Sequence, residues 1–210
     1  MFNHTTRLLL LAAALVFLTA CDPDRAGGGV PGEITGTVTG YDGPDADVIV
    51  QIMNHTSESG PTFHQVGEGT IKGDTLSFAP KPAPVIALYT PANIGLETDQ
   101  PDLRIGIAKV LLADQSGSFD LGKRNPNLPP DEAQVGDAIA YFLYADRAGT
   151  ITVPEEATIN DGMTGEAALS EGWNVLTMTI TSIDSENREQ RMSTGRVNDY
   201  NWFFASLGDS

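Results

Sequence analysis

The chain has 210 residues, with 28 Asp and Glu against 12 Lys and Arg, giving a formal charge of −16 at pH 7. A balance this negative repels phosphate backbones and excludes nucleic acid as a partner. With 22 Gly, 13 Pro and 40% hydrophobic residues, the composition suits a turn-rich β protein with a sizeable core rather than a disordered chain.

Residues 1–7 are polar and carry Arg7, and residues 8–17 are an unbroken apolar run of Leu, Ala, Val and Phe. These are the n-region and h-region of a secretory signal. The run has roughly half the length, about twenty residues, that a bilayer core demands, so it is too short for a permanent transmembrane helix. It ends in Leu18, Thr19, Ala20 and Cys21, which resembles the bacterial lipobox: an aliphatic residue, two small residues, then cysteine. The resemblance implies cleavage before Cys21, acylation of its sulfur by palmitate-like chains, and a lipid bilayer as the first partner. It places the chain in the cell envelope, outside the cytoplasm, on the periplasmic side or at the outer surface. The alternative is an ordinary cleaved signal with an incidental thiol. Against it, Cys21 is the only cysteine and stands where the pathway requires one. A lone cysteine also leaves no intramolecular disulfide to build. Two or three acyl chains, at about 0.8 kcal/mol per buried methylene, hold a protein stably where one does not.

Removal of residues 1–20 takes away Arg7 and no acid, leaving 11 bases against 28 acids, a balance of −17. Residues 21–32 comprise the lipidated Cys21 and a Gly- and Pro-rich stretch without apolar periodicity. Eleven such residues form a flexible tether with a mean reach of about 18 Å.

From residue 33 the pattern changes to period two. Ile34, Gly36 and Val38 share one face and three threonines the other, which predicts a half-buried strand. Residues 48–52 predict a second strand. Residues 66–71 and 75–78 flank Lys72-Gly73-Asp74, a hairpin connection. Residues 85–89 are continuously apolar, as expected of a central strand covered on both faces. The Ile-x-Gly-x-Val at residues 34–38, the strand at 48–52 and Gly73-Asp74-Thr75-Leu76-Ser77-Phe78 resemble a transthyretin-like or carboxypeptidase-regulatory-like β-sandwich over residues 33–90. The pattern departs after Phe78, where Pro80, Pro82 and Pro84 stand. The resemblance implies a fold and no chemistry.

Residues 91–103 read as a polar loop. Residues 104–113 return to strand character, with an inward phase that shifts between Ile105, Ile107 and Val110, Leu112, which predicts a bulge near Lys109. Residues 114–137 form the longest irregular stretch, and its Pro126, Pro129 and Pro130 cannot sit in a sheet interior. Residues 139–144 predict a buried strand, 150–153 another, and 173–183 the longest, with Leu176, Met178 and Ile180 inward and the threonines outward. The pairing of Tyr-Ala-Asp-Arg at 144–147 with Glu-Gly-Trp-Asn-Val at 171–175 resembles uncharacterised bacterial lipoproteins and supplies no activity.

Candidate sites are few. Asp114, Ser116, Ser118 and Asp120 offer oxygens at alternate positions, as a calcium loop does, but Phe119 and Asn125 occupy the places where such a loop needs glycine and a carboxylate. A solvated turn is the competing reading. His55 and His64 survive processing without further zinc ligands nearby. There is no GxSxG elbow, and no cysteine remains for thiol catalysis. A glycan hydrolase needs only two acids that meet in space, at about 5–9.5 Å, and with 28 acids in the chain the sequence singles out no pair, neither Glu155 nor Glu166 included. Tyr200, Trp202, Phe203 and Phe204 suit either core packing or a stacking platform.

These residues predict an all-β, mainly antiparallel β-sandwich over residues 33–208, or two sequential β lobes at 33–113 and 135–208. The expected function is a non-catalytic lipoprotein of the bacterial cell envelope with a binding or structural role toward an envelope protein or glycan. Cys21 is the one assigned site; no cofactor, metal or catalytic residue is expected. A carboxylate-based envelope glycan hydrolase and a calcium-dependent adhesion module are the alternatives.

Overall fold

The computed structural model describes residues 32–54, 62–82, 84, 88–125, 132–155, 162–184 and 188–207. Cys21, the leader, the tether and His55 lie outside them. Thirteen strands make up the described chain: β1 (Ile34–Thr39), β2 (Ala46–Asn54), β3 (Thr62–Lys72), β4 (Thr75–Pro80), β5 (Glu97–Thr98), β6 (Ile105–Leu112), β7 (Gly117–Gly122), β8 (Ala138–Ala145), β9 (Gly149–Thr152), β10 (Met163–Leu169), β11 (Gly172–Ile183), β12 (Arg188–Gly195) and β13 (Asn201–Ser206). The protein is all-β, and every strand pairing is antiparallel except β1 with β13 and β10 with β12.

The strands are not clearly arranged as the two stacked open sheets expected of a sandwich. Instead β13 returns from the far end of the chain to pair with β1 on one edge and β7 on the other. A closed eight-stranded ring results, in the order β13-β1-β4-β3-β2-β6-β8-β7. Closure removes the free edges that a sandwich would keep. The β3–β4 hairpin turns tightly at Gly73, whose φ of 57° fills the left-handed place that a type II′ turn needs.

Strand β8 is the hinge of the architecture. Its first half pairs with β7 and its second half with β6, so it wedges into the splayed β6–β7 hairpin. Its other edge runs along β11, from which the sheet continues through β12, β10, β9 and β5. Each face of this shared wall therefore meets a different core. Ala140, Phe142 and Tyr144 face the barrel, while Leu143 and Ala145 face a second cluster with Leu103, Ile151 and Leu169. That double burial explains the continuous apolar run at 139–144.

The same geometry corrects the bulge expected near Lys109. Strand β6 pairs with β2 and β8 in unbroken register. Ile105 and Ile107 serve the second core, and Ala108, Val110 and Leu112 the first. The apparent phase shift is one strand lining two cores. The register shifts that do occur lie between Val50 and Gln51 and between Ile180 and Ser182.

The barrel lumen is filled. Trp202 stacks on Phe142 with ring centroids 5.7 Å apart and 8° between planes, and meets Phe78 edge-on at 5.5 Å. Room for three large rings inside a small barrel comes from glycine: a Cβ on Gly36 of β1 would lie 2.5 Å from the Trp202 ring. Core packing is therefore the role of Trp202, and Phe204 on the same face packs against Tyr41 and Phe119.

Candidate functional site

The second core is not fully closed. At one end it opens into a cleft of about 230 Å³. The floor is the shared wall, contributing Ile107 of β6, Tyr141 of β8 and Leu176 and Met178 of β11. One side is formed by Gln190 and Met192 of β12 and Met163 of β10. The other is formed by Ile94 and Leu96, on a segment that packs across the sheet as a short 3-10 turn, Pro91–Ile94.

Local chemistry fixes that turn. The Asn93 side-chain oxygen accepts from the Thr90 backbone at 2.9 Å and from the Thr90 hydroxyl at 2.8 Å. Pro91 supplies the fixed φ of the first position, and Gly95, at φ 74°, ends the turn. Downstream, Asp99 accepts from the Thr150 amide at 2.7 Å and holds the segment to β9. The stretch expected as a polar loop at 91–103 thus buries Leu96 and Leu103 and forms the cleft's upper wall.

The cleft has the composition of a ligand site: apolar walls with few polar groups. Its polar atoms belong to the Tyr141 phenol and the Gln190 amide. Tyr141 is 38% exposed, and partial burial, then the charge of Asp120, raises its pKa above the ordinary tyrosine value. The three methionines are graded in depth: Met192 is 1% and Met178 8% exposed, and Met163 is half-buried at the mouth.

Other candidate residues are placed as follows. Asp114 lies in an exposed turn, where its Oδ1 accepts from the Ser116 amide at 2.9 Å and the Ser116 hydroxyl at 2.7 Å. Those donors hold its carboxyl below the usual carboxylate range. Asp120 sits on β7, and among the described residues no three His, Cys, Asp or Glu side chains converge. His64 lies on β3, near the Thr62 hydroxyl at 3.5 Å. Glu155 and Glu166 line one surface groove of about 490 Å³, together with Arg191 of β12. A second groove, about 630 Å³, crosses the outside of the barrel between Glu33, Asp47 and Glu68. The segment expected to be irregular at 114–137 contains β7, and Arg124 closes its far part by ion pairs to Glu132 at 3.5 Å and Asp137 at 3.4 Å. Residues 126–131 of that segment lie outside the described residues, as do 85–87 of the strand expected at 85–89. Of that strand, Tyr89 forms a single bridge to Ile105.

Sequence reasoning missed the cleft. Its walls come from β6, β8, β10, β11, β12 and a loop, so no contiguous stretch encodes it. One signal was present: three of the chain's five methionines fall between residues 163 and 192. Compared with known protein families, with characterised proteins and with solved structures, the chain matches none.

Proposed function

We propose that this chain is a non-catalytic lipoprotein of the bacterial cell envelope, anchored through acylated Cys21, whose binding surface is the methionine-lined cleft. The lipobox-like Leu18-Thr19-Ala20-Cys21 supports the anchor. The observation that carries the binding reading is the opening in the second core, where Met163, Ile94 and Ile107 stay half-buried beside fully buried neighbours. The packed lumen supports it too, because the rings of Trp202, Phe142 and Phe78 fill its centre and the cavity beside Phe142 and Trp202 is only about 100 Å³. The test is a titration of the methyl-13C-methionine-labelled mature chain with indole, read by NMR. The Met163, Met178 and Met192 methyls shift and the Met53 methyl, on β2, does not. Unchanged methyls at millimolar indole would remove the cleft as a binding surface.

One observation favours a second reading. Glu155 and Glu166 share a groove, as the carboxylates of a glycan hydrolase must. Release of reducing sugar from cell-wall glycan, lost in both Glu155→Gln and Glu166→Gln, would establish that reading over the first.

A further inference from the structure

We propose that the cleft takes an uncharged aromatic molecule of two fused rings carrying one hydrogen-bonding group, a ligand of naphthol size. The assignment rests on the reading of the cleft as the binding surface and names what it takes.

Volume sets the first limit. The cleft offers about 230 Å³. A cavity of about 150 Å³ accommodates benzene, and sites for drug-sized ligands run from about 300 to 1,000 Å³. A single ring therefore underfills the cleft, and a drug-sized ligand is not enclosed by it.

Charge sets the second. None of the nine described residues that line the cleft is ionised at neutral pH. A carboxylate entering it would lose hydration with no lining cation to replace it, and an ammonium would find no lining carboxylate. The Tyr141 phenol keeps its proton, because burial and then the charge of Asp120 raise its pKa, so it stands ready as a donor.

Polar pairing sets the third. The Tyr141 phenol and the Gln190 side-chain amide are the polar side chains of the wall, and neither makes a hydrogen bond with any other described residue. Tyr89, the other tyrosine of the second core, is already engaged, its hydroxyl accepting from the Ile107 amide at 3.2 Å. A ligand that fills the cleft strips water from Tyr141 and Gln190. One that brings a hydroxyl, carbonyl or N–H restores their bonds, whereas a bare hydrocarbon leaves them unpaired. Rings suit the rest of the wall: Met163, Met178 and Met192 each line it, and thioethers make favourable contacts with aromatic rings on side chains that adapt to a ligand's outline.

The experiment uses the mature lipidated chain in detergent micelles, labelled at the methionine methyls, at pH 7, with free ligand fixed by dialysis against empty micelles. Five compounds share one skeleton: 2-naphthol, naphthalene, decahydro-2-naphthol, 2-naphthoate and 2-naphthylmethylammonium. With 2-naphthol the Met163, Met178 and Met192 methyls shift and the Met53 methyl does not. Naphthalene binds about tenfold more weakly or worse, because two polar groups lose water without a partner. The two ions bind about thirtyfold more weakly or worse, because each is desolvated without a counter-charge. Decahydro-2-naphthol, which keeps the hydroxyl and loses the rings' aromaticity, is also weaker than 2-naphthol. Tyr141→Phe combined with Gln190→Leu still takes up naphthalene, with the same methyl shifts, and no longer prefers 2-naphthol to it. A smaller gap for naphthalene or for either ion, a saturated analogue that binds as tightly as 2-naphthol, or a preference that survives in the double variant would each overturn the assignment. Indole shifts without this ranking would overturn it and leave the cleft's binding role standing, whereas unchanged methyls with indole and with all five compounds would end both readings.

Discussion

Replacing Gly36 by alanine tests the filled barrel at its tightest point. The added Cβ would lie 2.5 Å from Cδ1 and 2.8 Å from Nε1 of Trp202. Carbon atoms in good contact sit about 3.5–4.0 Å apart, so the indole must retreat by about 1 Å. Retreat is blocked by Phe142, stacked on one side, and by Phe78, edge-on. Overpacking of this kind costs about 1–3 kcal/mol. Replacing glycine inside a strand returns about 0.5–1 kcal/mol of chain entropy, leaving a net loss of about 1–2 kcal/mol. With a slope of about 2 kcal/mol per molar urea, the unfolding midpoint falls by about 0.5–1 M. The clash is specific to the indole, so the same change in a Trp202→Leu background costs little, and the double-mutant cycle gives a coupling of about 1–2 kcal/mol. Urea melts followed by tryptophan emission measure all four proteins. An unchanged or higher midpoint for Gly36→Ala in the parent background would refute the packing described for the lumen.

Three further outcomes are expected. Asn174, wholly buried, accepts from the Ser170 amide and donates to the Ser170 and Gly172 carbonyls; Asn174→Ala leaves these groups unpaired and costs about 1–3 kcal/mol in a thermal or urea melt. Asp114 has a lowered pKa because the Ser116 hydroxyl and amide donate to it, so the order it gives its turn is complete above the ordinary aspartate value and lost as pH falls through the lowered one; the Ser116 amide shift follows this in an NMR titration, and Ser116→Ala moves the midpoint up. Tyr141 ionises above the ordinary tyrosine range through burial and then Asp120, and Asp120→Asn moves its ultraviolet titration partway back.

Much of the barrel's first half was legible because β1, β2 and β4 alternate, with Ile34, Val38, Val48, Val50 and Leu76 inward, whereas β3 changes phase between Val66 and Ile71. Strands β8 and β11 were legible as apolar runs, though that Thr177 is buried was not. Strand β12 escaped notice because its sequence, REQRMSTG, buries only Met192. Its strand state comes from pairing with β11 and β10, a tertiary effect that local propensity does not carry. Strand β7 was hidden in a stretch rich in Gly and Asp, and it forms because β13 supplies its partner from the chain's other end. That same long-range pairing closes the ring, which is why alternation revealed strands but not a barrel. The cleft was illegible for a related reason: it exists only where the 3-10 turn at Pro91–Ile94 stops short of covering the second core.

The account's central claim, a sheet protein held at the envelope by its sole cysteine, is tested most directly by the intact mass of the polypeptide extracted from its native membrane. The predicted result is a chain beginning at Cys21, heavier than residues 21–210 by a thioether-linked diacylglyceryl group. A chain retaining residues 1–20, or one beginning at an unmodified Cys21, would contradict it.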